Sequence, residues 1–180
     1  MTLKILWGIT GCGDFLKESV DTMRRIRQKY NLQVDVAISK AGETVLNRYS
    51  LKDVISQNFE TILIEKDANT PFLIGALQLG KYDLLLICPA TANTTAKIAY
   101  GIADTLLTNC VSQAIKAGVP IYIYPSDQKL GETITILPSG KELKLVMREI
   151  DVQNSERLKL MKGITVLSNP SDIESIIKSS

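Results

Sequence analysis

Apolar residues in this chain fall into short unbroken runs separated by stripes of helical period. Leu3-Lys4-Ile5-Leu6-Trp7 opens the chain as a strand. From Phe15 to Tyr30, the positions Leu16, Val20, Met23, Ile26 and Tyr30 recur every three or four residues, which predicts an amphipathic helix. Val34 to Ile38 reads as a second strand, Ala41 to Tyr49 as a short helix and Ile62-Leu63-Ile64 as a short strand. Phe72 to Leu79 reads as a helix closed by Gly80. Leu84 to Cys88 is apolar without alternation, the pattern of a strand covered on both faces in a parallel sheet. Thr94 to Leu107 and Val111 to Ala117 are predicted helical, with Gly118 as the stop and Val119 to Tyr124 as the next strand. This alternation of strand and helix predicts an α/β fold: an open, mostly parallel sheet with helices on both faces.

The pattern then changes. Glu132 to Leu137 and Glu142 to Met147 both alternate around Pro138-Ser139-Gly140, which predicts a β-hairpin appended to the sheet. Asp151 to Met161 reads as a helix and Thr165 to Leu167 as a short strand. Asn169-Pro170-Ser171-Asp172 carries the cap, first-turn proline and acid of a helix start. No linker or repeat interrupts the chain, so residues 1–180 are expected to form one domain.

Composition narrows the chemistry. Hydrophobic residues make up 45% and charged residues 22% of the 180, ordinary values for a fold with a real core. A net charge of +2 gives no drive towards nucleic acid or an anionic membrane, and the basic patch Arg24-Arg25-Ile26-Arg27 reads as a solvated helix face. No apolar run reaches membrane length and the N-terminus enters a strand at once, so a cytoplasmic protein is expected. Cys12, Cys88 and Cys110 are widely spaced without a C-x-x-C pair, so no metal site and no disulfide framework are expected. The chain has no histidine, which excludes hydrolases that depend on a histidine base.

Three predicted strand ends carry residues suited to ligand binding, since doubly wound sheets bind ligands beyond the carboxyl ends of their strands. The first is Gly8-Ile9-Thr10-Gly11-Cys12-Gly13-Asp14. Its glycines suit phosphate at a helix start, or simply a tight turn. It fits neither the dinucleotide fingerprint, which would want glycine where Leu16 stands, nor the P-loop. The second is Ser39-Lys40, either a further phosphate contact favouring a mononucleotide or a serine cap beside an exposed lysine. The third is Pro89-Ala90-Thr91-Ala92-Asn93-Thr94. Its small residues leave room for a flat ligand, with Asn93 addressing a polar ring edge; equally, it reads as the start of a well-capped core helix.

The block Pro89 to Thr94, followed by Ala96-Lys97-Ile98-Ala99-Tyr100-Gly101-Ile102-Ala103-Asp104-Thr105-Leu106-Leu107, resembles the signature of the homo-oligomeric flavin-binding cysteine decarboxylase superfamily. The resemblance implies a Rossmann-like (flavodoxin-like) three-layer fold, bound FMN, and trimer-based homo-oligomers with flavin at the subunit interface. Gly11-Cys12-Gly13 and Ile38-Ser39-Lys40-Ala41 match the family's flavin-phosphate positions. The implied FMN contacts are therefore Gly11, Cys12, Gly13, Ser39 and Lys40 at the phosphate, and Pro89, Ala90, Thr91, Ala92, Asn93 and Thr94 along the ring and ribityl chain.

Departures from the pattern select a branch. The decarboxylases carry a catalytic histidine and a tryptophan-containing substrate motif, whereas this chain has no histidine and its one tryptophan, Trp7, lies in the first strand. Cysteine decarboxylation is not expected. Thr108-Asn109 and Pro125-Ser126-Asp127-Gln128 stand where flavin prenyltransferases carry an arginine and a Pro-Arg-Glu-type motif. The segment Trp7 to Asp14 and the late hairpin are most similar to the archaeoflavoproteins. That branch implies electron transfer with ferredoxin or iron–sulfur flavoproteins, and a sister branch reduces dihydromethanopterin. The expected function is thus FMN-dependent electron transfer. A prenyltransferase-like transferase and a non-catalytic flavin-storage protein are the alternatives. Cys12, beside a helix start, is a candidate reactive thiol or a small packing residue.

Overall fold

The computed structural model describes residues 2–179. Six strands form one parallel sheet in the order β3-β2-β1-β4-β5-β8. These are β1 (Leu3–Ile9), β2 (Leu32–Ile38), β3 (Thr61–Ile64), β4 (Leu84–Ala90), β5 (Ile121–Pro125) and β8 (Ile164–Val166). Alternate residues of each strand serve opposite layers. Ile5, Trp7 and Ile9 of β1, with Leu84, Leu86 and Cys88 of β4, pack under α1 (Leu16–Lys29), α2 (Lys40–Arg48), α3 (Lys52–Asn58) and α8 (Asp172–Ser179). Leu6, Leu85 and Ile87 face the other way, against α4 (Leu73–Gln78), α5 (Ala92–Ala99), α6 (Leu106–Ala117) and α7 (Glu149–Lys159). The result is the three-layer, flavodoxin-like α/β fold expected from the sequence.

The helix break near Gly101 and the end of β4 differ from the sequence reading, whereas the expected hairpin is present. The predicted helix Thr94 to Leu107 is two helices, because Gly101 turns the chain at φ +73° and Thr105 starts α6 afresh. Thr105 and Thr108 form a reciprocal capping box there, and Lys97 closes the turn on Asp104 at 2.8 Å. The hairpin of β6 (Glu132–Ile136) and β7 (Glu142–Val146) pairs antiparallel as a separate two-stranded sheet and does not extend the central one. Finally, β4 runs on through Pro89 to Ala90, with a cis Cys88–Pro89 bond and a register shift against β5.

Glycine permits a close approach where the site begins. A Cβ on Gly8 would stand 2.6 Å from Ile87 Cδ1 and 2.9 Å from Leu107 Cδ2. Gly8 therefore lets the first turn of α6 lie directly on the sheet.

Candidate functional site

Parallel strands send their carboxyl ends, and the helix starts that follow, to one edge of the sheet. Here the starts of α2, α5 and α6 border one cavity of about 620 Å³. Its lining includes Gly11, Ser39, Lys40, Thr91, Asn93 and Thr94, together with Glu65 and Thr105. Six of the residues expected at a flavin, drawn from all three predicted strand ends, thus meet in one place.

Each helix start is capped by a hydroxyl. Ser39 Oγ accepts the Gly42 amide at 2.9 Å, and Thr91 Oγ1 accepts the Thr94 amide at 3.1 Å. The Thr91 hydroxyl donates onward to Thr94 Oγ1 at 3.0 Å, so its own proton is already used. Among the described residues the Ser39 hydroxyl donates to no acceptor and only accepts from Gly42, which leaves its proton for a ligand. The first amides of a helix have no intrahelical partner. Among the described residues, those of Ala41, Ala92, Asn93 and Leu107 donate to no protein acceptor. They are the donors a phosphate needs, at the positive ends of three helix dipoles.

Two residues that sequence reasoning passed over hold this arrangement together. Thr10 is 2% exposed; its Oγ1 donates to the Pro89 carbonyl at 2.7 Å and accepts the Thr91 amide at 3.0 Å. It pins the end of β1 to the start of α5. Glu65, just beyond β3, accepts the Lys40 amide at 2.9 Å through Oε2 and the Leu106 amide at 2.7 Å through Oε1. The signal for Glu65 was an acid at the end of the predicted strand Ile62–Ile64, a strand end no different in kind from the three singled out.

The remaining expected residues lie elsewhere. Pro89 and Ala90 are buried, and Ala92 stands off the lining. Gly13 faces a different cavity of about 920 Å³ between α1, the turn after α2 and the hairpin. A Cβ there would stand 2.6 Å from the Tyr49 hydroxyl. That cavity is the larger, and its lining mixes Asp14, Glu18 and Asp21 with Lys17, Arg25 and Arg48. The smaller cavity, with its open amides, suits a phosphorylated ligand better.

Cys12 is 7% exposed and its Sγ lies 3.3 Å from the Asp14 carbonyl. Burial pushes its thiol up to about 12, only partly countered by a hydrogen bond with Ser126. It is a neutral packed thiol near pH 7, which opposes a reactive-thiolate role. Burial also raises Asp14, partly countered by the Thr135 hydroxyl that donates to it at 3.0 Å and docks the hairpin on this loop. Lys40 is exposed, and its charge contributes to lowering the Asp67 pKa, after the hydrogen bonds Asp67 accepts from Asn69 and Thr70.

Comparisons with known proteins show the family. The family model described as Flavoprotein matches residues 1–179. An uncharacterized protein of Methanocaldococcus jannaschii is 58% identical over 175 residues, covering 97% of this chain and 94% of that protein. A dihydromethanopterin reductase (acceptor) of the same organism is 31% identical, covering 96% of this chain and 95% of the reductase. Among solved structures, Burkholderia xenovorans DmrB in complex with FMN, described as a cubic protein cage for redox transfer, superposes with a TM-score of 0.84. It is 28% identical, with 98% of this chain and 94% of DmrB covered. With the match running almost end to end, the chain belongs to the Flavoprotein family.

Proposed function

We propose that this chain binds FMN in the cavity at the starts of α2, α5 and α6 and acts as an FMN-dependent oxidoreductase in electron transfer. The observation that carries the reading is the convergence of three capped helix starts with open amides on one cavity. Its volume of about 620 Å³ falls within the ~300–1,000 Å³ usual for ligand and cofactor sites. The donor set fits a phosphorylated, polyhydroxylated cofactor: backbone amides for phosphate, hydroxyls of Ser39 and Thr94 for the sugar-like chain, and exposed Asn93 at the mouth for a ring edge. Bound FMN supplies the redox chemistry, and the protein supplies binding, orientation and electrostatics.

The relatives support a redox role. One relative is a dihydromethanopterin reductase (acceptor), and the similar DmrB structure is a complex with FMN, described as a cubic protein cage for redox transfer. A reduced-pterin couple and a ferredoxin or iron–sulfur flavoprotein are the acceptor and donor classes this reading brings to the chain. Assembly as a trimer-based homo-oligomer, with flavin at the subunit interface, belongs to the same reading. Exposed apolar side chains on the hairpin, Ile134, Ile136 and Val146 among them, support burial against further copies.

The test is a titration of flavin-free protein with FMN, followed by absorption and fluorescence, then anaerobic reduction by ferredoxin and reoxidation by a dihydropterin. Saturable binding and reversible reduction are expected. Absence of saturable FMN binding refutes the site, and bound flavin that no donor reduces leaves a storage protein as the better account.

A further inference from the structure

Glu65 puts a negative charge in a cavity whose helix starts favour anions. The carboxylate is half-buried and spends both oxygens on helix-start amides, Lys40 of α2 and Leu106 of α6. Those two donors are of the kind that would otherwise serve a phosphate. The backbone of Glu65 is fixed as well, since its amide donates to the Ile38 carbonyl at 2.9 Å and continues the ladder with β2. Asp67 and Asp104 line the same cavity and reinforce the charge. Of the nearby cations, Lys97 pairs with Asp104, while Lys40 lines the cavity and forms no ion pair among the described residues. By strand order the acid comes from the β3 side of the cavity, whereas Ser39, Gly11 and Thr91 come from β2, β1 and β4.

We propose that Glu65 is a specificity-determining residue: an internal anion that fills part of the anion-binding donor set, so that no ligand holds the cavity by its phosphate alone. The amides left open still accept the phosphate of a cofactor whose ring and chain also fit. Inorganic phosphate, or a nucleotide whose base does not fit, meets a carboxylate where it needs a donor. A like charge a few ångströms away, partly screened by solvent, disfavours a second anion by about tenfold or more. The inference rests on the FMN reading above and adds how the site discriminates.

The experiment measures riboflavin and FMN dissociation constants by fluorescence, with inorganic phosphate as competitor, for the wild type, Glu65→Gln and Glu65→Asp. In Glu65→Gln the preference for FMN over riboflavin is expected to rise about tenfold, and the inhibition constant of phosphate to fall by a similar factor. Glu65→Asp keeps the charge, so it keeps the wild-type ratio even where both affinities weaken through its shorter reach. A purely structural role would weaken both flavins together, so an unchanged ratio in Glu65→Gln overturns the proposal. If Glu65→Gln does not fold, Asp67→Asn removes a charge from the same lining and must shift the ratio in the same direction. No shift there overturns the proposal equally. A wild type that does not bind FMN overturns the cofactor reading instead.

Discussion

Replacing Thr10 with valine tests the brace between the first and third strand ends. The substitution keeps the shape and removes one hydroxyl. In the native chain that hydroxyl serves the Pro89 carbonyl at 2.7 Å and the Thr91 amide at 3.0 Å, and Thr10 is 2% exposed. Pro89 is buried, so its orphaned carbonyl costs about 1–3 kcal/mol. Thr91 is half-buried and water can partly replace the lost acceptor, so its amide adds about 1 kcal/mol. The sum, about 2–4 kcal/mol, lowers the melting temperature of a chain this size by roughly 5–15 °C. Thr10→Ser retains the hydroxyl and loses one methyl, for about 1 kcal/mol and roughly 2–4 °C. Circular-dichroism melts of the three proteins, with FMN titrations alongside, give the comparison. FMN affinity should fall in the valine variant, because the start of α5 is no longer pinned, and stay near wild type in serine. The reasoning fails if the valine variant melts within about 2 °C of wild type, or if serine is no better than valine.

Two further outcomes follow from the same coordinates. A Cβ on Gly11 would stand 2.6 Å from Ala41 Cβ at the start of α2. Gly11→Ala should therefore lower FMN affinity at least about tenfold by displacing that start, and Gly11→Ala with Ala41→Gly should restore most of it; a double variant no better than the single one rules out this packing. Burial pushes the thiols of Cys12, Cys88 and Cys110 up from 9.0 to about 12. The unfolded chain loses these protons near pH 9 while the folded chain keeps them, so stability is whole below pH 9 and is lost as pH rises towards 12. Each thiol steepens that loss by up to about 1.4 kcal/mol per pH unit. Urea midpoints taken at pH 8, 9 and 10.5 should fall over the last interval, and a flat profile there would contradict the assigned burial.

The sheet was legible in the sequence because its strands are covered on both faces and so carry uninterrupted apolar runs. Leu84 to Cys88 is the clearest example. The break between α5 and α6 was hidden because Tyr100-Gly101-Ile102-Ala103 continues an apolar helical pattern, and the capping pair Thr105 and Thr108 is a quieter signal. Helix α3 escaped notice because it is seven residues long and buries only Ile55. The site divides in the same way. Ser39, Thr91, Asn93 and Thr94 follow strand ends directly, so locating the strands located them. Thr10 and Glu65 act on partners 79–81 and 25–41 residues away, contacts that no local pattern encodes. Cys12 and Gly13 share a loop with Gly11 but turn from the cavity, one into the core and one towards the hairpin.

The block from Pro89 to Leu107 supplies two helix starts. Its first half ends β4 and starts α5; its second half turns at Gly101 and starts α6. An unbroken helix through Leu107 would leave no amides at Leu106 and Leu107 to face the cavity. Glu65 and a ligand would then have only the starts of α2 and α5 to share. The many small and hydroxylated residues of the block follow from that geometry. Ser39, Thr91, Thr105 and Thr108 satisfy helix-start amides, and those left over, at Ala41, Ala92, Asn93 and Leu107, stay open to a ligand. Side-chain chemistry at this site consists mainly of deciding which backbone donors remain free. Glu65 takes part in that allocation by binding two of them itself.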